Sequence, residues 1–328
     1  MPSPQGIPTA IYAPGSAGAS PYQRLSRYRC VLPIHPFNTS TLQRSPLPPV
    51  TLALVIAAGL LFVVAEMTAT FLAARRLNNF GIVDVVWSLG FTPLVWIAFA
   101  IASLRTYDAK LNAHPEWNWP AALTVAGLVT LWSLRLGMHL FVRVRSHHPV
   151  EDVRYARLRQ EWGSATNQRM FGFFLLQGVL QLVLATPWIA VLLDTTPAPS
   201  FQLSGWGLVG VALWWIGLIG ESVADRQLAR FRSNPANRGQ VCQLGLWNYS
   251  RHPNYFFEWL IWVAYAVFAL GSPWGWIGLL SPLLMGHFLI NVTGIPMTEA
   301  LSVQSKGDAY REYQRTTSAF VPWFKGKG

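Results

Sequence analysis

Seven apolar runs, each close to the length needed to cross a lipid bilayer, constrain this chain more than any other feature. A spanning helix needs about 20 mostly apolar residues, because its backbone must satisfy its own hydrogen bonds inside the hydrocarbon. The composition agrees: 52% of the residues are hydrophobic and only 12% are charged, against roughly 25% in soluble domains. The sequence therefore predicts an all-α integral membrane protein with about seven transmembrane helices. The runs are Val50–Ala74, Phe80–Leu104, Trp119–Phe141, Phe171–Leu193, Trp206–Ser222, Tyr255–Leu270 and Trp274–Thr293.

The basic residues predict how these helices are oriented. Of the 25 Lys and Arg residues, 18 lie in loops and terminal segments on one side of the predicted bundle, six lie on the other side, and Arg135 lies inside a span. Loops rich in Lys and Arg are retained in the cytoplasm during insertion. The distribution predicts an odd number of spans with a cytoplasmic C-terminus, and it accounts for the net charge of +11 without nucleic-acid binding.

Residues 1–49 differ from the rest of the chain. They hold ten of its 23 prolines and no apolar run of useful length. Such a composition cannot bury enough apolar surface to offset the entropy of ordering. The sequence thus predicts a disordered arm over residues 1–49, followed by one membrane domain over residues 50–328 with cytoplasmic loops and tail.

Polar side chains inside the apolar runs gather, under this topology, in the cytoplasmic halves of the spans. A charge at the bilayer centre costs at least ~2.5 kcal/mol on insertion scales, so such groups face one another or a water-filled cavity. One or two would be structural pairs, whereas this number predicts a polar cavity open to the cytoplasm. The residues concerned are Glu66, Asp84, Arg135, His139, Gln177, Gln181, Glu221, Glu258, His287 and Asn291.

The segment SRHPNYFFEW, residues 250–259, joins a basic turn to an apolar helix. Pro253 suits the first helical position, because it has no N–H to leave unpaired. The positive end of the helix, preceded by Arg251 and His252, predicts an anion-binding site at the membrane surface. The alternative is that Arg251 and His252 are ordinary interfacial anchors. The polar residues that follow at spacings compatible with one helical face are Asn254, Tyr255 and Glu258.

The loop before this segment carries both carboxylates and arginines. Glu221 and Asp225 lie four residues apart and share one helical face, and Arg232 follows two turns later. Carboxylates accept hydrogen bonds from a ribose or an adenine amino group, and arginines offer forked donors to phosphate. The loop is a candidate nucleotide site, and the alternative is a solvated amphipathic loop with local ion pairs.

The C-terminal segment is basic and rich in tyrosine, and two interpretations of it stay open. Its aromatic and basic side chains either close over a bound ligand or lie on anionic lipid. The residues concerned are Tyr310, Arg311, Tyr313 and Arg315.

Other patterns carry less information. Gly205–Gly210 reads GWGLVG and has the form of a dinucleotide-binding glycine motif, but it opens a membrane helix with no preceding strand, so close helix packing explains it better. Residues 151–163 are predicted to form a surface helix laced with ion pairs. The two cysteines and the adjacent His147 and His148 lack metal-ligand spacing, so no metal site is predicted.

Taken together, several motifs resemble those of a known family. The region from about Thr51 to Phe324 resembles bacterial membrane proteins of unassigned function that are grouped with the steroid 5-alpha-reductases, and this resemblance implies a location in a bacterial inner membrane. The motifs are VDVVWSLGF (83–91), LWSLRLGMHL (131–140), EDVRY (151–155), ESVADRQLARFR (221–232), GLWNYSRHPNYFFEW (245–259) and TTSAFVPWF (316–324).

The resemblance implies a seven-helix enzyme that binds NADPH from the cytoplasmic side and transfers hydride to an enone. By motif, the nucleotide site would be closed by Tyr310 and Tyr313, with Glu258 in support. The catalytic part departs from the pattern, because no Gln-Glu pair follows the first span and no tyrosine adjoins Arg135. Glu66, Asp84 or His139 would then act in their place, and Arg135 is the fourth candidate catalytic residue. The residues expected to line the nucleotide site are Glu221, Asp225, Arg232, Arg251, His252, Asn254 and Tyr255.

Two other functions stay open. Membrane methyltransferases of the isoprenylcysteine carboxyl type are similar in the RHP-x-Y motif, the following glutamate and the Tyr-rich tail, and they use S-adenosylmethionine. A lipid-binding protein without catalysis could have the same fold. The expected partners are a lipophilic small-molecule substrate and membrane lipids.

Overall fold

A computed structural model describes residues 49–107, 117–196 and 203–326, and the ordered elements in these ranges are helical throughout. The arm predicted over residues 1–49 lies, but for its last residue, outside the described residues. The helices are α1 Pro49–Leu77, α2 Ile82–Thr106, α3 Trp119–His147, α4 Val153–Trp162, α5 Thr166–Leu184, α6 Thr186–Leu192, α7 Gly205–Ser233, α8 Pro253–Ala269, α9 Leu280–His287, α10 Ile295–Lys306 and α11 Asp308–Thr316.

Within the described ranges, five helical stretches are long and apolar enough to cross a membrane: α1, α2, α3, α7 and the interrupted run Gly275–Lys306. A sixth exists if the helices from Val153 to Leu184 and α6 count as one span bent by 45°. Pro187, in the first turn of α6, cannot donate a backbone hydrogen bond, which explains the bend. The prediction of an all-α membrane protein is confirmed, and α8 has 17 residues, slightly fewer than a full span.

Helices α7 and α8 pack closely because glycines line the α7 face. A Cβ atom at Gly210 would lie 2.6 Å from Phe268 Cβ and 2.8 Å from Phe268 Cα, and one at Gly217 would lie 2.6 Å from Ile261 Cγ1. Small residues allow such backbone approach between membrane helices. The interpretation of GWGLVG as a packing motif is confirmed at Gly210.

An aromatic core fills the centre of the bundle. Trp262 packs edge-on against Trp132 at a centroid distance of 5.0 Å and against Phe91 at 5.6 Å, and it stacks on Trp188 at 6.0 Å. All four side chains are fully buried. The large rings link α2, α3, α6 and α8 and so hold the polar side chains of α3 and α8 in fixed positions.

Residues 317–325, here called the C-terminal strap, run along the turn before α8. The Arg251 N–H donates to Ser318 O at 2.9 Å, and the Trp323 N–H donates to Tyr249 O at 2.9 Å. The Ser250 hydroxyl donates to Phe320 O at 2.8 Å. These bonds satisfy the backbone of an irregular turn that would otherwise depend on water.

We expect Tyr313→Phe to loosen this strap. The Tyr313 hydroxyl, on α11, is buried and donates to the carbonyls of Trp247 and Ser250. Its removal should lower the free energy of unfolding by about 1 kcal/mol and speed proteolysis near the C-terminus. Thermal unfolding and limited proteolysis measure both effects. Tyr249→Phe, which removes a hydroxyl from an exposed ring, is the control, and equal behaviour of the two variants would contradict the prediction.

Candidate functional site

Six of the predicted site residues meet where three helices adjoin, and we call them the α3–α7–α8 cluster. They are Arg135 and His139 of α3, Glu221 and Asp225 of α7, and Asn254 and Glu258 of α8. Each helix contributes two residues four positions apart, which places the pair on one face. The cluster therefore arises from three amphipathic helix faces brought together by packing.

Arg135 is the centre of the cluster. Its guanidinium forms ion pairs with Glu221 and Asp225, and the Nη2–Asp225 Oδ2 distance is 2.6 Å. The Arg135 side chain is 21% exposed and that of Glu221 only 5%. His139 Nε2 lies 3.9 Å from Asp225 Oδ2, and 43% of its side chain is exposed. The prediction that Glu221 and Asp225 share one helical face is confirmed, because both reach the same guanidinium.

Helix α8 adds an amide and a third carboxyl group. Asn254 Nδ2 donates to Asp225 Oδ1 at 3.3 Å. Glu258 accepts hydrogen bonds from two indoles, Trp132 Nε1 and Trp262 Nε1, each at 2.9 Å. These tryptophans belong to the aromatic core, so the core that stabilises the bundle also fixes the carboxyl group of Glu258.

The cluster contains more acidic than basic groups. Three carboxyl groups face one arginine and one half-exposed histidine. Glu221 Oε2 is buried and has no hydrogen-bond partner among the described residues. The cluster can therefore accept further hydrogen bonds from the hydroxyl or amino groups of a ligand.

The residues before α8 form a second group, which we call the α8–α10 cluster. Arg251 Nε lies 2.6 Å from Glu299 Oε1 on α10, and Arg251 Nη1 donates to Gln314 O and Thr317 O at 2.8 and 2.6 Å. His252 Nε2 lies 3.2 Å from the same Glu299 oxygen. The sequence predicts an anion at the start of α8, and in the structure the carboxylate of Glu299 occupies this place.

Sequence reasoning missed Glu299. Gln314 Nε2 donates to its second oxygen at 2.7 Å, so the carboxylate joins α8, α10 and α11. Only one signal marks it in the sequence: it is an isolated acid in the segment IPMTEALSVQSK beyond the last apolar run.

The predicted tyrosines belong to the protein interior. Tyr255 stacks on His252 at a centroid distance of 5.3 Å, and its hydroxyl lies 3.2 Å from Thr298 Oγ1. Tyr310 and Tyr313 are buried and pack edge to face at 5.8 Å. Burial raises the pKa of Tyr310 to about 12, and its hydroxyl forms a hydrogen bond with Ser302 inside the protein.

The basic residues of the tail and of α7 are exposed, in contrast to the buried tyrosines. Arg311 and Arg315 are exposed and pair within α11 with Asp308 and Glu312. Arg232, in the last turn of α7, is also exposed. An exposed guanidinium at the end of a spanning helix is available to an anion from water or to a lipid phosphate.

The protein family can be assigned once these clusters are known. A family model described as "Protein of unknown function (DUF1295)" matches residues 70–317. The chain belongs to this family. It is also similar to the uncharacterized protein C594.04c of Schizosaccharomyces pombe, with 27% identity over 282 residues, 76% of this chain and 74% of the relative. No solved structure matches the chain.

The region that matches DUF1295 contains both clusters entirely, whereas Glu66 and most of the strap lie outside it. The four predicted catalytic residues fall into three separate groups. The carboxyl group of Glu66 lies next to the side chain of Gln181 of α5, and both face Gly90 of α2. Arg135 and His139 belong to the α3–α7–α8 cluster.

Asp84, at the start of α2, forms the third group with α4. Arg154 Nη2 lies 2.5 Å from Asp84 Oδ2, and the Tyr155 hydroxyl donates to Asp84 Oδ1 at 2.6 Å. The helix predicted over residues 151–163 is confirmed, and its exposed Arg157–Glu161 pair fits the expected surface. The contact of this helix with Asp84 was not predicted, because Arg154 and Tyr155 are 70 and 71 positions from Asp84 in the sequence.

No group of three or more His, Cys, Asp and Glu in the described ranges is arranged to hold a metal ion.

Proposed function

We propose that this DUF1295 protein is a membrane-embedded reductase that uses NADPH to reduce an activated C=C bond of a lipophilic substrate. The α3–α7–α8 cluster carries the proposal. Ionisable side chains from three apolar helices are rare inside a membrane protein and mark functional sites by default. The resemblance of residues 221–232 and 245–259 to the steroid 5-alpha-reductases supplies the reaction class.

The proposal includes seven spans. Helix α8, with 17 residues, and the bent pair of α5 and α6 would raise the five long spans to seven. The distribution of basic residues then supports a cytoplasmic C-terminus in a bacterial inner membrane.

The donor and acceptor set fits the nucleotide. Ribose hydroxyls and the adenine amino group are donors, and the buried Glu221 Oε2 is an acceptor with no partner among the described residues. Asn254 could bind the nucleotide through its amide, and the exposed Arg232 could bind a phosphate. A supporting role would fall to Arg251, His252 and Tyr255. Their contacts with α10 hold the first turn of α8 in place, so they would position the nucleotide site without touching the nucleotide.

NADPH, when bound, would supply the hydride. The chain itself would exclude water with the aromatic core, orient the nucleotide through Asp225 and Asn254, and exchange a proton through His139. We assign this proton to His139 and not to Asp84, because His139 is half exposed, whereas Asp84 is held by Arg154 and Tyr155. A positioned acid near the site stabilises the negative charge that develops on the substrate.

The charge of the cluster also favours one rival. Three carboxyl groups around a single arginine suit the ammonium group of S-adenosylmethionine. A methyltransferase therefore stays the second candidate. A lipid-binding protein without catalysis would bind neither compound.

Thermal unfolding of the purified protein in detergent, with NADPH, NADH or S-adenosylmethionine, tests the proposal. A ligand at 100 times its dissociation constant adds about 2.7 kcal/mol to the free energy of unfolding, which raises the midpoint measurably. A shift with NADPH supports the reductase, a shift with S-adenosylmethionine alone supports the methyltransferase, and no shift in folded protein contradicts both.

We expect Asn254→Ala to weaken NADPH binding roughly threefold to tenfold, since one hydrogen bond of about 0.5–1.5 kcal/mol is lost. The side chain is partly buried and makes one long bond to Asp225, so the fold should persist. Titration of the thermal midpoint with NADPH measures the affinity. Asn167→Ala, at an exposed position of α5, is the control, and an unchanged affinity in Asn254→Ala would place the nucleotide elsewhere.

A further inference from the structure

Two large aromatic side chains of the C-terminal strap lie on the surface of the protein. Trp323 and Phe324 are 68% and 78% exposed, although the Trp323 N–H is fixed by its hydrogen bond to Tyr249 O. Phe324 packs edge-on against the exposed ring of Tyr249 at a centroid distance of 6.1 Å and against Trp323 at 6.4 Å. The three rings thus form one continuous surface, which we call the aromatic patch.

The chain around the aromatic patch is basic. Residues 226–257, which include the loop before α8, hold five arginines and no acid, and residues 313–328 hold Arg315, Lys325 and Lys327 and no acid. Lys325 connects the strap to this loop, because its Nζ donates to Gln243 Oε1 at 2.7 Å. Arg238, five positions before Gln243, is exposed and pairs with no acid among the described residues. Basic charge that no acid neutralises attracts an anionic surface.

The strap lies at the level of the first two turns of α8. Phe320 packs on Phe256 and Trp259, each at a centroid distance of 5.7 Å. With 17 residues at 1.5 Å each, α8 measures about 26 Å, less than the roughly 30 Å of the hydrocarbon core. If so short a helix spans the bilayer, its first turns have no length to spare for the water phase. The strap beside them therefore lies in the headgroup region, where Trp and Tyr side chains are enriched.

We propose that the aromatic patch and its basic neighbours bind anionic phospholipid of the cytoplasmic leaflet. The rings of Tyr249, Trp323 and Phe324 lie among the headgroups and the first acyl carbons, and Lys325 and Arg238 pair with the phosphate groups. The proposal rests on the seven-span topology proposed above, in which α8 crosses the membrane, and not on the proposed reaction.

This lipid contact differs from the one that the sequence suggested. Of the residues considered there, Tyr310 and Tyr313 are buried, and Arg311 and Arg315 pair with acids of their own helix. The lipid contact therefore belongs to the strap that follows α11. A protein partner at this depth would have to displace headgroups, so lipid is the occupant that the geometry favours.

Photocrosslinking in nanodiscs tests the proposal without any nucleotide. The photoreactive residue p-benzoylphenylalanine is placed at Phe324 of the full chain, in nanodiscs of equal parts phosphatidylcholine and phosphatidylglycerol, and the adducts are identified by mass spectrometry. We expect phospholipid adducts in which phosphatidylglycerol is enriched up to about fivefold, because one Lys or Arg near an anionic surface contributes about 1 kcal/mol.

Two other probe positions calibrate the yield. The probe at Asp308, whose side chain is almost fully exposed on α11, should give few lipid adducts. The probe at Leu61, exposed near the middle of α1, should give lipid adducts without preference for either headgroup, since it reports the acyl chains.

Substitutions separate the basic charge from the aromatic contact. Arg238→Gln combined with Lys325→Gln should remove the preference for phosphatidylglycerol at Phe324. Arg157→Gln, which removes a basic residue paired with the exposed Glu161, should leave that preference unchanged.

Three results would overturn the proposal: lipid adducts at Phe324 as rare as at Asp308, adducts without headgroup preference, or adducts with a second copy of the chain. If the probe at Leu61 also gave no lipid adduct, the spanning arrangement would be overturned together with the patch. The readout needs no nucleotide, so its failure is distinct from a failure of the NADPH proposal.

Discussion

Arg135→Leu is expected to lower the free energy of unfolding by about 3–5 kcal/mol, because it leaves two buried carboxylates without their cation. Glu221 and Asp225 both pair with this guanidinium, and their side chains are only 5% and 12% exposed. Thermal and denaturant unfolding in detergent measure the loss. Arg157→Leu is the matched control: its partner Glu161 is exposed, so we expect a cost within about 1 kcal/mol.

A second substitution identifies the cause of that loss. If unpaired charge is responsible, Glu221→Gln should recover part of the stability in the Arg135→Leu background, although it removes an ion pair in the native protein. Equal costs for Arg135→Leu and Arg157→Leu would contradict the cluster geometry. A double variant less stable than Arg135→Leu alone would show that packing, and not charge, dominates.

Gly210→Ala is expected to have the other large effect, about 1–3 kcal/mol of destabilisation. The added methyl group would lie 2.8 Å from both Phe268 Cα and Phe268 N, so α7 and α8 must separate. Since these helices carry Glu221, Asp225, Asn254 and Glu258, nucleotide binding should weaken together with stability.

Gly205→Ala provides the control on the same helix. A Cβ atom at Gly205 meets no atom within 4 Å, and alanine is the better helix former by up to about 1 kcal/mol. We therefore expect Gly205→Ala to be neutral or slightly stabilising in the same unfolding measurements. A midpoint for Gly210→Ala as high as that of Gly205→Ala would be incompatible with the observed contact of α7 and α8.

Hydropathy predicted where most helices lie, because burial in lipid demands long apolar runs whatever the detailed packing. The run predicted as Tyr255–Leu270 is the helix Pro253–Ala269. The run predicted as Phe171–Leu193 is instead a helix broken between Leu184 and Thr186, and Trp274–Thr293 contains a short 3₁₀ helix, α9 and a π turn. Average hydropathy does not register such local breaks.

The residue types of the site were predictable, and their pairing was not. Spacing along α7 placed Glu221 and Asp225 on one face, but nothing local links them to Arg135, which is 90 positions from Asp225. In the same way, the sequence predicted that Arg251 and His252 bind an anion from outside the protein. In the structure they contact the carboxylate of Glu299, which is 48 positions from Arg251. Long-range ion pairs depend on which helices adjoin, and a single sequence does not specify that.

The C-terminal strap has a consequence for how the protein is made. The turn before α8 forms hydrogen bonds with residues synthesised 63 to 74 positions later, among them Gln314, Thr317 and Trp323. All the spanning helices can therefore be inserted while this turn is still incomplete. Helix insertion and completion of this turn therefore depend on different parts of the chain, and a chain truncated after residue 316 would keep every spanning helix but lack the strap that bonds to the turn before α8.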